Sequence, residues 1–432
     1  MKKGPRVPER KKIIFVVRAY NDLDIQASLI NEFAQDATYD VVVLAGFFDN
    51  EIVIADHYEA YPFLKSQGVH FLNVLDNGGS FLTKWVYRAY KTIMSSRKQC
   101  SASSLFFIRA MLLVVRKIMQ RQARVDQNWL EYTKALAPDY VVMDEVVVQK
   151  GRSKIVDEII PVFKQRGTKV FAILTGHHIY FDTNPSNSKQ QISYLKNITE
   201  KHFVPAQLDV DISRDHFPDE KYVVKGNLRM NPVWVSKMYD DILIPPHFPY
   251  ADYERKLPTG KYKVVLMLSK LTYGVRVAEL AKCIKYLNDH PDVSLVIKPH
   301  TRGMKFDFMD SSDVQNAVIA DTIPSAVLCK WADIQLFTGS SIAFHSMALG
   351  KSVGFLGYCQ EIRTIFDEYP ICFNFSSQSH LEETIQQLVE GNADALGPDA
   401  QAVKDFLCEH VWGGAKDGQV AKAYKAEIEG SF

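Results

Sequence analysis

Short apolar runs alternate with helical stretches along this chain, and the alternation occurs twice. In the first half the runs are Ile13 to Val17, Tyr39 to Ala45, Val69 to Val74, Tyr140 to Asp144, Lys169 to Leu174 and His202 to Val204. Such runs, separated mostly by helical segments, fit strands of a parallel sheet buried under helices on both faces. After Tyr222 to Val224 the chain passes through Gly226-Asn227-Leu228-Arg229-Met230 into a stretch rich in proline and aromatics, Asn231 to Lys261. A second alternation runs from Tyr262 to about Phe375, and the rest is helical in pattern with breaks near Gly397-Pro398 and Gly413-Gly414. At 432 residues the chain exceeds what one hydrophobic core serves. The expected organisation is α/β: an N-terminal domain over 1–230, a linker over 231–260, a second domain over 261–400 and a helical tail over 401–432.

A hydrophobic content of 47% and a charged content of 23% are those of an ordinary globular protein and exclude disorder as the main state. The net charge of +1 gives the whole molecule no pull toward nucleic acid, so no nucleic-acid partner is expected. Met1 to Lys12 is basic and polar without an apolar core, so no secretory leader is read there. Cys100, Cys283, Cys329, Cys359, Cys372 and Cys408 are scattered, with no Cys-x-x-Cys pair. That usage fits a reduced, cytoplasmic protein without a structural metal site.

The segment Thr338-Gly339-Ser340-Ser341-Ile342-Ala343-Phe344-His345 sits between the apolar runs Asp333 to Phe337 and Val353 to Leu356. It reads as strand, tight turn, helix and strand, a βαβ unit whose turn carries hydroxyls and amides able to converge on a phosphate. A bare N-cap role for Ser340 fits the same residues. Upstream, the run Val293 to Ile297 delivers Lys298-Pro299-His300 at its carboxyl end, and Tyr262 to Leu268 delivers Ser269-Lys270-Leu271-Thr272. Ligands of open α/β sheets bind outside the carboxyl ends of strands. Three strand ends offering cations and hydroxyls together make a candidate phosphate site.

Two α/β halves with phosphate-type motifs in the second resemble the GT-B glycosyltransferases. The Lys298-Pro299-His300 turn and the Ser340-Ser341 pair are similar to the histidine-proline and serine-serine motifs of bacterial transferases that use cytidine-activated donors. These include sialyltransferases, Kdo transferases and the CDP-glycerol polymerases of teichoic acid synthesis. Here the order is Pro-His rather than His-Pro. The resemblance implies two Rossmann-like domains facing a central cleft, and a transferase of surface polysaccharide, capsule, O-antigen or lipopolysaccharide synthesis. Its donor would be a CMP- or CDP-linked sugar, best a CMP-linked one such as Kdo or sialic acid, its acceptor a glycan or glycolipid. Polyol-phosphate transfer, sugar-nucleotide 2-epimerisation and a non-catalytic glycan scaffold are the alternatives. Where many GT-B enzymes place a glutamate for the ribose hydroxyls, this chain has His345, which makes UDP use in the common mode less favoured. The donor set is then Ser269, Lys270, Thr272, Lys298, His300, Thr338, Gly339, Ser340, Ser341 and His345, with Lys225 and Arg229 beside the domain crossover. No metal or cofactor is demanded beyond the nucleotide-activated donor.

In the first half, Val141-Val142-Met143 delivers Asp144 and Glu145 at a strand end. One of them would act as base or nucleophile, since neighbours on a strand point to opposite faces. Gly176-His177-His178 is the other catalytic candidate, and the loops carrying Arg18, Asn21 and Asp22, and Asn77 and Gly78, would line the acceptor side. From Lys84 to Arg124 there are ten lysines and arginines and no acidic residue, around the apolar runs Leu105 to Ile108 and Met111 to Val115. The runs are too short to span a bilayer. They suit contact with an anionic surface, at the inner face of the inner membrane, although packing on a core fits as well.

Overall fold

The computed structural model describes residues 10–17, 20–45, 47–48, 51–52, 58–96, 102–144, 155–174, 176, 179–181, 198–213, 221–260, 262–300, 306, 308–392 and 397–430. Two parallel sheets organise the chain. The first contains β1 (Lys11–Val17), β2 (Tyr39–Ala45), β3 (His70–Asn73), β4 (Tyr140–Asp144), β5 (Lys169–Ile173), β6 (Lys201–Val204) and β7 (Tyr222–Val224). Its order is β3-β2-β1-β4-β5-β6-β7. The second contains β8 (Tyr262–Met267), β9 (Val293–Lys298), β10 (Val318–Ile319), β11 (Ile334–Phe337), β12 (Ser352–Phe355) and β13 (Phe373–Asn374), ordered β10-β9-β8-β11-β12-β13. Strand order therefore reverses between β1 and β4 and again between β8 and β11. Those two switch points are where doubly wound sheets open a crevice.

Strand periodicity decides which residues meet which helices. Ile13, Phe15 and Val17 face α1 (Tyr20–Ala34), joining Leu23, Ala27, Ile30 and Phe33 in one apolar cluster. Ile14 and Val16 face the other way, toward α2 (Phe81–Ser96) and α3 (Ala102–Val125), where Val86, Tyr87, Tyr90, Leu112, Met119 and Ala123 are buried. In the second sheet Val264, Leu266, Leu295 and Ile297 meet Leu280, Ile284 and Leu287 of α4 (Val277–Asp289) and Leu381, Ile385 and Leu388 of α5 (Gln378–Val389). The opposite face, with Val265, Met267 and Phe337, shares the α1 cluster. One apolar cluster thus runs through both halves.

The segment expected to be a linker is built into that cluster. Helix Pro232–Lys237 lies within it, capped by the Asn231 side chain, which accepts from Trp234 N at 2.8 Å, and helix Tyr250–Glu254 packs against it through Tyr250 and Tyr253. Trp234, Val235, Met238, Tyr239, Ile242, Leu243 and Phe248 are all buried. The aromatics that looked like loop residues are core residues. The chain crosses between the halves here and crosses back near Trp412, and the crossings are tied together. Asn227 N donates to Val411 O (2.6 Å), Trp412 Nε1 to Met230 O (3.0 Å) and Tyr424 OH to Gly226 O (2.7 Å). Gly226 has φ +92°, and a Cβ there would stand 2.5 Å from the Trp412 carbonyl carbon, so no other residue fits.

After the second crossing, α6 (Val420–Glu429) docks on the first half. Lys425 pairs with Asp36 at 2.6 Å, Tyr39 OH donates to Glu429 at 2.9 Å, and Glu427 accepts from Lys201 and from Lys225, the latter at 3.0 Å. The Lys425 ammonium and the Thr38 donors hold the Asp36 carboxyl well below the usual range, and Lys201 and Lys225 lower Glu427. Both folded values are depressed, so their stabilisation is present above the unfolded pKa values near 4 and is lost as pH falls through the folded ones. Below about pH 4, α6 should therefore gain hydrogen–deuterium exchange before the strands of the first sheet do, and Lys425→Met should move that release to higher pH. Simultaneous exchange of α6 and β4 would show that these pairs do not govern the docking.

Candidate active site

A cleft of about 760 Å³ lies between the two sheets, at the carboxyl ends of their strands. From the second half it is lined by Ser269 after β8, His300 after β9, Asp321 to Ala326 after β10, and Gly339, Ser340 and Ser341 after β11. The first half contributes Tyr20, Asn21 and Asp24 at the start of α1, Tyr58 and Glu59, and Gly176, Ile179 and Tyr180 after β5; Arg229 comes from the crossover.

The turn after β11 owes its shape to Gly339. Its φ is +98°, and its carbonyl accepts from Tyr180 OH at 2.7 Å, while a Cβ would sit 2.7 Å from that hydroxyl. Beneath the turn, Ser269 N donates to Thr338 Oγ1 (3.2 Å) and Ser269 Oγ to the Thr338 carbonyl (3.1 Å). Thr338 is fully buried, and this pair locks the ends of β8 and β11 together. Helix Ala343–Ala348 begins only after the serines, with Ala343 N donating to Ser340 O and Phe344 N to Ser341 O, both at 3.2 Å. The amides of Ser340, Ser341 and Ile342 make no backbone hydrogen bond among the described residues, and all three residues line the cleft. Two hydroxyls and a run of amides there can receive an anion.

Lys298 and His345 are both tied into the fold by hydrogen bonds. The Lys298 ammonium is buried and donates to the carbonyls of Ala320 (2.9 Å), Asp321 (3.0 Å) and Ile323 (2.7 Å). An ammonium has three donors, and all three are spent on holding the loop after β10. Burial lowers its pKa to about 8. His345 lies outside the cleft lining, its Nε2 2.7 Å from Tyr239 OH. The same hydroxyl donates to the Ala326 carbonyl at 2.8 Å, so Nε2 carries the proton and Nδ1 is left bare and buried. Desolvation, helped by Arg229, lowers the imidazole to about 3, so it stays neutral.

Facing the serine turn, Arg229 Nε binds Asp24 Oδ2 at 2.7 Å, and Tyr58 OH donates to Asp24 Oδ1 at 3.1 Å. Burial and the Asp24 charge push the Tyr58 phenol well up, so it remains a donor. Glu59 lines the cleft beside this group and accepts a hydrogen bond from Tyr20 OH. A strap closes one side: Ile365 N donates to Ile179 O (2.9 Å) and Phe181 N to Arg363 O (3.1 Å), with Tyr180 bridging Thr364.

The fold brings Ser269, Lys298, His300, Gly339, Ser340, Ser341, Arg229 and Asn21 to the cleft wall. Other candidates from the sequence stand elsewhere among the described residues. Lys225 pairs with Glu427, Lys270 lies 5.3 Å over the Tyr273 ring, Thr272 is exposed, and Thr338 is the buried lock described above. Asp22 and Asp144 are buried and do not line the cleft. Asn77 accepts from Asn73 N at 2.9 Å and Gly78 packs under Tyr132, on the α2 side of the sheet. Arg18, Glu145, His177 and His178 lie outside the described residues. Tyr20, Tyr58, Glu59 and Tyr180 carry no motif. Helical spacing offered the one available signal, since Tyr20 and Asp24 are four apart on α1.

No group of three or more His, Cys, Asp or Glu side chains converges as metal ligands would among the described residues, and no helix among them is long and apolar enough to cross a membrane. No protein-family model matches the chain, and no curated protein matches it in sequence. Solved structures do match in fold. UDP-GlcNAc 2-epimerase from Neisseria meningitidis, bound to UDP-GlcNAc, aligns with a TM-score of 0.57 at 13% identity over 97% of this chain and 100% of that one. The S. aureus MnaA–UDP structure aligns at 0.53 and 12% identity, covering 97% and 96%. A variant of the wall teichoic acid polymerase TagF soaked with CDPG gives 0.53 and 12%, covering 97% and 88%. At such identities the likeness is one of fold: two Rossmann-like domains facing a cleft, the GT-B arrangement.

Proposed function

We propose that the chain is a GT-B transferase of surface-glycan synthesis that takes a cytidine-activated donor, best a CMP-linked acidic sugar such as Kdo or sialic acid, and passes the sugar to a glycan or glycolipid hydroxyl. The observation that carries the reading is the cleft itself, where the Gly339-Ser340-Ser341 turn and His300 face Arg229 and Glu59 across the two halves. The turn amides, the serine hydroxyls, the imidazole and the guanidinium would take up the charge that develops on the departing nucleotide phosphate as the sugar–oxygen bond breaks. Glu59 would accept the proton of the attacking hydroxyl. Lys298 would act at one remove, by holding the loop after β10. The choice of cytidine over uridine rests on the likeness of the Ser340-Ser341 pair to the serine-serine motif of transferases that use cytidine-activated donors.

The fold likeness to UDP-GlcNAc 2-epimerases, over the full length of the Neisseria chain, favours sugar-nucleotide epimerisation as the second reading. Titration calorimetry with CMP, CDP and UDP separates the two, followed by NMR of the products from CMP-sugar or UDP-GlcNAc. The expected result is tighter binding of CMP or CDP than of UDP, with Ser341→Ala weakening it by about 1–3 kcal/mol, the cost of a lost hydrogen bond to a charged group. Tighter UDP binding together with epimer formation from UDP-GlcNAc would replace the transferase reading.

A further inference from the structure

Helices α2 and α3 form an antiparallel hairpin whose open end is pinned by Asp126. Its carboxylate accepts from Ser80 N and from Thr83 Oγ1, both at 2.6 Å, so the start of α2 and the end of α3 lie together. The inward faces are spent on the first sheet. The outward faces are not polar. On α2, Phe81 is 87% exposed and Trp85 62%, with Leu82 beside them; on α3, Leu113, Val114, Ile118 and Val125 are all exposed. Lys117, Arg121 and Arg124 are exposed among the latter at helical spacing, and no acidic residue occurs between Lys84 and Arg124.

We propose that this hairpin seats the protein on an anionic lipid bilayer, with Phe81, Leu82 and Trp85 entering the interface and Lys117, Arg121 and Arg124 meeting lipid phosphates. Aromatic and aliphatic side chains interleaved with cations match a surface that is apolar inside and negative outside. A nucleic acid would satisfy the cations and leave the apolar side chains in water; the net charge of +1 also gives the rest of the molecule nothing to add to such binding. The hairpin starts at the carboxyl edge of the first sheet, directly after β3 and the turn Val74–Gly78, and the cleft opens at that same edge. Seated this way, the protein would keep its cleft close to the lipid surface.

The chain supplies its own reporter. Of its five tryptophans, Trp129, Trp234, Trp331 and Trp412 are buried, and Trp85 alone is exposed. The full chain should float with vesicles of phosphatidylcholine and phosphatidylglycerol at low salt, sink with phosphatidylcholine alone, and lose part of its fluorescence to lipids brominated in the acyl chains. Replacing Lys117 and Arg121 together by glutamine should weaken partition about tenfold to thirtyfold, at roughly one lipid-phosphate attraction per cation removed, and salt should weaken it further. Phe81→Ser with Leu82→Ser should weaken it about tenfold or more by removing inserted apolar area. These positions are solvent-exposed, so circular dichroism should match wild type. Failure of the wild-type chain to float, flotation without quenching, equal binding to neutral vesicles, or displacement by soluble heparin with no effect of the apolar pair would each overturn the proposal, the last assigning the face to a soluble polyanion.

Discussion

Glu59→Gln should lower turnover by about two to four orders of magnitude while nucleotide affinity stays unchanged. General-base catalysis is worth about that much, and the amide removes proton acceptance with little change of shape. Among the described carboxylates of the cleft wall, Asp24 is committed to Arg229 and Tyr58 and Asp321 belongs to the loop that Lys298 holds, whereas Glu59 accepts from Tyr20 OH, which orients its carboxylate at the cleft. Because a base acts in the transition state, the loss should appear in kcat and kcat/KM together. Stopped assays with saturating donor, run beside calorimetry on the same preparation, separate the two quantities. Full activity in Glu59→Gln with loss in Glu145→Gln or a His177 variant would move the chemistry to the strand ends of the first sheet.

Arg229→Ala is expected to do two kinds of damage. It strips the partner from Asp24, a buried carboxylate on the first turns of α1, and breaking one side of such a pair costs about 3 kcal/mol. It also removes a guanidinium from the wall opposite the Ser340-Ser341 turn, so nucleotide affinity should fall. A double-mutant cycle tells the effects apart: Asp24→Asn with Arg229→Ala should recover part of the unfolding free energy and none of the nucleotide affinity. Recovery of both would reduce Arg229 to a structural strut. Denaturant unfolding and calorimetry on the four proteins of the cycle decide it.

The sheets were legible because parallel strands buried on both faces read as apolar runs, and those runs are β1 to β6, β8, β9, β11 and β12. The serine turn was legible for a local reason as well, since Gly339 and its two hydroxyl neighbours occupy adjacent positions. What escaped depended on atoms distant in sequence. Nothing around Lys298 announces that carbonyls more than twenty residues downstream will take all its protons, and nothing around His345 announces Tyr239. Both therefore read as ligand groups. The stretch after Asn231 was misjudged because proline punctuates loops, although its tryptophan, tyrosine and phenylalanine content was the mark of burial. Glu59 and Tyr58 sit in no recognisable pattern, and only the folding of their loop against α1 brings them to the cleft.

The return of α6 to the first half has a consequence for how the protein comes into being. The surface of α1 around Phe33 and Tyr39 is finished by residues 420–430, which are translated after the entire second sheet. During synthesis the first half must wait, with that face uncovered, until the ribosome has delivered the second sheet and the crossing back near Trp412. A nascent chain halted after β13 would hold a complete second sheet and an unfinished first one, and would present to chaperones the apolar margin that Tyr424 and Ile428 later cover.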